Sequence, residues 1–301
     1  MLPDFMVAGI AKGGTTSLYY YLIQHREVCI PRKESFYFAR NFYFQSPGDG
    51  PPYFRDKSRI VLTESDYDRF YEKCNAKAIG EVSTCYAYFY EQSIPLIKEK
   101  LGDIKIIFIL RDPIARALSG YKHLMRLKRE TLSFKEAIEQ EPIRMKEKWD
   151  FMWYYLDVGF YYRQVKAFKE NFSRVNVYLT EDLLTNPKNV MKDIYRLIEV
   201  DHAFVPDTST KYNISDLQND NFWFKYFFDN SFSNKYIKPL VKRIILKEST
   251  RMAIKYKLSK PAGQPGPVLD AEMKLQLREL YRNDILQLQS LIGRDLSHWL
   301  K

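Results

Sequence analysis

Short apolar runs and helix-spaced stripes alternate along the chain. FMVAGI at 5–10 is a short apolar run with a glycine at its end, Gly9-Ile10, and TSLYYYLIQ at 16–24 follows with helical spacing, so the chain opens as strand, glycine loop, helix. AIGEVS at 78–83 and IKIIFIL at 104–110 read as two further buried strands, with a helical stretch at 93–101 between them. A helix over 114–128 begins just after Pro113, a residue favoured in a first helical turn. Residues 160–171 read as a helix, VNVYL at 175–179 as a strand and 187–198 as a further helix. Residues 269–291 form one or two amphipathic helices before Trp299. This alternation predicts an α/β fold with a central parallel sheet flanked by helices on both faces.

Two stretches break the rhythm. From 28 to about 60 the chain is irregular and aromatic-rich, punctuated by Pro31, Pro47, Pro51 and Pro52, and loops of that length are usually functional. Residues 212–258 carry no clear period, and KPAGQPGP at 260–267 reads as a loop. The chain shows no internal repeat and no low-complexity segment.

Composition narrows the function classes. Of 301 residues, 46% are hydrophobic and 28% charged, which is ordinary globular usage and excludes a disordered chain. A formal charge of +10 favours an anionic partner, and the basic residues are scattered through helices with no tail or long run, which speaks against nucleic acid. Cys29, Cys74 and Cys85 are odd in number and lack CxxC spacing, so they read as free thiols in a reducing compartment. Four histidines with no ligand spacing imply no metal site. The longest apolar run is too short to span a bilayer and no leader precedes it, so the expectation is a cytoplasmic protein without an integral membrane segment.

The first chemistry lies in GIAKGGTTS at 9–17. A glycine turn leading into a helix N-terminus presents backbone N–H groups and a positive dipole to phosphate. Against the Walker A pattern, Gly9 and Gly14 fall on the glycines and Thr16 on the hydroxyl, but Thr15 occupies the lysine position and Lys12 sits earlier in the loop. A P-loop kinase or ATPase uses that missing lysine on its β- and γ-phosphates, so a phosphotransferase is disfavoured. The second chemistry is LRDPIARALSGY at 110–121. There Arg111 at a strand end and Ser119 in the next helix can grip one phosphate together, the arginine as a planar fork.

KGGTTSL resembles the 5′-phosphosulfate loop, and RDPIARALSGY the 3′-phosphate signature RDPxxRxxSxY, of the sulfotransferases dependent on 3′-phosphoadenosine 5′-phosphosulfate (PAPS). The heparan-sulfate-type and related bacterial enzymes are the nearest in pattern. The resemblance covers nearly the whole chain and implies a single sulfotransferase domain over 1–301 with a P-loop NTPase-like three-layer fold. It implies PAPS as co-substrate, the 3′,5′-bisphosphate of adenosine (PAP) as product, and no metal. By it, Lys12, Gly13, Gly14, Thr15, Thr16 and Ser17 hold the phosphosulfate, with Lys12 also stabilising the leaving group, and Arg111 and Ser119 hold the 3′-phosphate. Lys260 stands where the family has a basic loop over that phosphate, although the usual Lys-Gly-Arg is absent; Lys211 and Asn213 compete for the same duty. Lys33-Glu34-Ser35-Phe36-Tyr37-Phe38 resembles KExHFF, which makes Glu34 the general base. His123, four residues past Ser119 and on nearly the same helix face, falls where some N-sulfotransferases carry a histidine. Heparan-type enzymes often have His at the position of Phe36, Asp at Ala39 and Lys at Val82. Those departures turn the acceptor expectation toward a hydroxyl or amine of a small soluble metabolite, with a saccharide or glycolipid second. A non-catalytic PAP- or RNA-binding protein is the remaining class. Aromatic clusters at 36–44, 86–90 and 222–228 are expected to be mostly core, since large rings dominate burial.

Overall fold

The computed structural model describes residues 1–45, 60–209, 217–218, 260–261 and 269–301. Its contacts divide into two units, one comprising 1–208 and 269–301, the other 209–268.

In the first unit, β1 (Phe5–Gly9), β2 (Val28–Cys29), β3 (Ala78–Val82), β4 (Lys105–Leu110) and β5 (Val175–Leu179) form one parallel sheet in the order β2-β3-β1-β4-β5. Parallel strands covered on both faces read as unbroken apolar runs. In β4 the residues Ile106, Ile107, Phe108 and Ile109 are all fully buried, each worth about 1.5–3 kcal/mol against exposure. The helices are α1 (Thr15–Leu22), α2 (Arg40–Gln45), α3 (Glu64–Tyr71), α4 (Tyr90–Leu101), α5 (Pro113–Arg126), α6 (Phe134–Glu139) and α7 (Glu141–Lys146). They continue as α8 (Tyr161–Asn171), α9 (Thr180–Thr185) and α10 (Pro187–Leu197), and one uninterrupted helix, Ala271–Ile292, precedes a closing 3₁₀ turn, Ser297–Leu300.

Helix starts follow local chemistry. Asp112 accepts the Ala115 N–H at 2.6 Å and Pro113 opens α5, so Asp112 caps that helix. Thr63 caps α3, and Ser133 with Glu136 forms a capping box on α6.

The strand order places a switch point at β1. The chain runs from β1 leftward to β2 and β3, then returns to the other side of β1 with β4 and β5, and ligands of open α/β sheets bind beyond the strand ends at such a point. The Phe36, Tyr37, Phe38 and Tyr86 rings are buried in the core beside that edge, as expected of most of the aromatics; cluster 222–228 lies outside the described residues.

The expectation of three free thiols is corrected. Cys29 at the end of β2 and Cys74 just after α3 are disulfide-bonded, with Cα atoms 5.7 Å apart, and only Cys85 remains a thiol, buried. Pairing of β2 with β3 and the packing of α3 bring together cysteines 45 residues apart, which spacing does not reveal. Chain-entropy arguments value closure of such a loop at about 4 kcal/mol. Reduction is therefore expected to lower the melting midpoint by on the order of 10 °C. Thermal unfolding with and without reductant, and of Cys74→Ser, checks it.

Lys260 also departs from expectation in its local structure. Lys260–Pro261 pairs antiparallel with Leu217–Gln218, so the segment read as loop begins in a two-residue ladder of the second unit. Residues 262–267, Lys211 and Asn213 lie outside the described residues. Among the described residues no helix is long and apolar enough to cross a membrane.

Candidate active site

Three strand ends meet at the switch point, and each carries a sequence-predicted group. Beyond β1 the chain turns through Lys12 and Gly14, both left-handed at φ 70° and 103°, before Thr15, Thr16 and Ser17 open α1. Gly13 is obligatory by space: a Cβ there would lie 2.4 Å from the Ile109 carbonyl oxygen. The turn is tied down from two sides. Ile10 N–H donates to the Ile109 carbonyl at 3.1 Å, and the Thr180 hydroxyl, one residue past β5, lies 2.6 Å from the Gly13 carbonyl and 2.9 Å from that of Leu110.

Arg111 follows β4. Its Nη1 donates to the Lys12 carbonyl at 3.5 Å, while its own carbonyl accepts the Tyr161 hydroxyl at 2.9 Å. Ser119 is buried on α5. One turn on, His123 Nδ1 accepts from Arg126 Nη2 at 2.9 Å, since a guanidinium has no acceptor. Burial, then the charges of Lys12, Arg126 and Arg129, push the His123 imidazole down to about 3, so at neutral pH it is uncharged.

Glu34 lies beyond β3, also left-handed at φ 66°. Its N–H donates to the Val82 carbonyl at 2.8 Å, and its carboxylate accepts the Thr84 hydroxyl at 3.0 Å. Lys33 Nζ sits 3.7 Å from that carboxylate and donates to Thr16 Oγ1 at 2.7 Å, linking the Glu34 loop directly to the glycine turn.

The electrostatics around Lys12 select for anions. Burial, then the charges of Arg126, Lys33, Arg111 and Arg116, push its ammonium down to about 7. A lysine crowded by cations at a helix N-terminus is a site whose donors match phosphate or sulfate oxygens. The residues present therefore fit a polyanionic nucleotide.

Lys12 to Ser17, Glu34, Arg111, Ser119 and His123 thus share one edge of the first unit, whereas Lys260 belongs to the second. Sequence reasoning passed over Lys33, Thr84, Arg126 and Thr180. Arg126 had a signal, lying on the helix face of Ser119 and His123. Thr84 and Thr180 had only their places just after strands.

Comparison with known proteins agrees with this geometry. The model of the Sulfotransferase family matches residues 3–203. The membrane-associated sulfotransferase kil1 of Dictyostelium discoideum is 30% identical over 120 residues, 40% of this chain and 22% of that protein. The mouse (Mus musculus) heparan sulfate glucosamine 3-O-sulfotransferase 3B1 is 22% identical over 98% of the chain and 64% of its own length. The chain therefore spans less than two thirds of these relatives. The crystal structure of a sulfotransferase from Alicyclobacillus acidocaldarius superposes with a TM-score of 0.73 at 29% identity, covering 100% of both chains. Sheet order, site geometry and a match across two thirds of its length lead to one conclusion: the chain belongs to the Sulfotransferase family.

Proposed function

We propose that the chain transfers a sulfuryl group from PAPS to a hydroxyl or amine of an acceptor and releases PAP. The observation that carries this reading is the joining of the glycine turn to the Arg111 strand end, with Arg111 Nη1 on the Lys12 carbonyl and Lys33 on Thr16. One substrate can then be held at its 5′ side by Lys12 and the α1 N-terminus and at its 3′-phosphate by Arg111 and Ser119. Glu34 takes the acceptor proton as the acceptor atom bonds to sulfur. Lys12 stabilises the negative charge that grows on the phosphate oxygen as the P–O–S bridge breaks at sulfur. His123, neutral, serves as a hydrogen-bond partner and not as a proton-donating imidazolium.

In this reading the acceptor is a small soluble metabolite. A saccharide is the second reading, favoured by the match to the 3-O-sulfotransferase over nearly the whole chain.

Calorimetric titration with PAP and with 5′-AMP tests the proposal. Loss of one partner of a hydrogen-bonded charge pair costs about 2–5 kcal/mol, so wild type is expected to prefer PAP by at least about 30-fold and Arg111→Ala to lose that preference. Equal binding of the two nucleotides by wild type would overturn the reading.

A further inference from the structure

Glu81, on β3, is fully buried, and its partners among the described residues are hydroxyls. Oε1 accepts from Ser35, from Tyr86 at 2.5 Å and from Ser83 at 3.2 Å; Oε2 accepts from Tyr67 at 2.5 Å and Tyr71 at 3.3 Å. These five donors come from the Glu34 loop, from α3 and from the end of β3 with the turn after it. A buried carboxyl group is costly unless its hydrogen bonds are satisfied, and a satisfied network fixes the geometry of everything attached to it.

What is attached here is the residue following Glu34. Ser35 Oγ also accepts the Tyr37 N–H at 3.2 Å, and the Ser35 carbonyl accepts Val61 N–H at 2.9 Å. On either side of Ser35 the backbone is left-handed, at Glu34 and at Phe36 (φ 60°), a conformation that L-residues hold only under external constraint. Tyr86, a second Glu81 partner, lies 3.0 Å from Ser35 Oγ and accepts Phe38 N–H at 3.3 Å. The bend that presents Glu34 is thus pinned at its centre and on its far side by one carboxyl cluster.

We propose that Glu81 is a positioning residue: through Ser35 it sets the Glu34 carboxylate at the distance and angle from which it can take the acceptor proton. This rests on the reading of Glu34 as base. The experiment uses the full chain and follows slow hydrolysis of PAPS to PAP and sulfate without added acceptor. In that reaction water attacks sulfur, the P–O–S bridge breaks at sulfur, and Glu34 receives a water proton.

Ser35→Ala and Glu81→Gln are expected to lower kcat tenfold or more, and Tyr67→Phe several-fold, with KM for PAPS and Kd for PAP within twofold of wild type. In a Glu34→Gln background Ser35→Ala should cost no further activity, because residues acting through one another are not additive. If Glu81→Gln fails to fold, Ser35→Ala and Tyr67→Phe decide. Folded, PAP-binding single variants with wild-type kcat, or losses that simply multiply with Glu34→Gln, would overturn the proposal. Full activity of Glu34→Gln itself would instead sink the base assignment, and is seen separately.

Discussion

Glu34→Gln is expected to lower sulfuryl transfer by about 10²–10⁴-fold, the usual worth of a positioned general base, while leaving PAP affinity unchanged. The substitution keeps the side-chain shape and the capacity to accept from Thr84, so the loop stays in place while the proton acceptor and the charge facing Lys33 are lost. Steady-state turnover with PAPS, set beside calorimetric PAP binding, separates the two effects. A kcat loss with unchanged Kd is the signature of an interaction made in the transition state. Turnover at the wild-type rate would remove Glu34 from the chemistry.

Lys12→Ala should cost about 10²–10³-fold in turnover, comparable with removing one preorganised donor from developing charge. Lys12 also predicts a pH dependence of binding. In the free protein its ammonium, pushed down to about 7, is mostly charged at pH 6 and mostly neutral at pH 8. A bound polyanion favours the charged form, so PAP binding above pH 7 draws in a proton, and affinity falls as pH rises, by at most about tenfold per unit. Calorimetry at pH 8 in buffers of different ionisation heat should register proton uptake approaching one per site, and Lys12→Ala should abolish it. Affinity flat from pH 6 to 9 in wild type would contradict the coupling.

The parts of the fold legible in the sequence were those governed by local rules. Strand 175–179 is found as expected; the runs at 5–10, 78–83 and 104–110 differ by one residue at an end, and these three were legible because strands buried on both faces announce themselves as largely apolar runs. Helix α5 was legible from Pro113 and its stripe. Two-residue β2, α3 and the short α6 and α7 were not, being too brief for a period to emerge beside prolines and rings. The glycine turn and the Arg111 helix stood out because each is a contiguous motif. Lys33 on Thr16, Thr84 on Glu34 and Thr180 on Gly13 did not, since each joins segments far apart in the chain. The hydroxyl cage of Glu81 gathers residues from 35 to 86 and has no linear signature.

The disulfide carries a consequence for the environment in which the protein works. Such bonds persist where the surroundings oxidise and are rare where glutathione keeps thiols reduced. Cys74 follows the helix that supplies Tyr67 and Tyr71 to Glu81, and Cys29 precedes the loop that supplies Ser35. With the bond formed, those two walls of the cage are covalently joined. With it open, hydroxyl contacts and packing alone keep them in register, so preparations handled under different redox buffers should differ in the rigidity of the Glu34 loop.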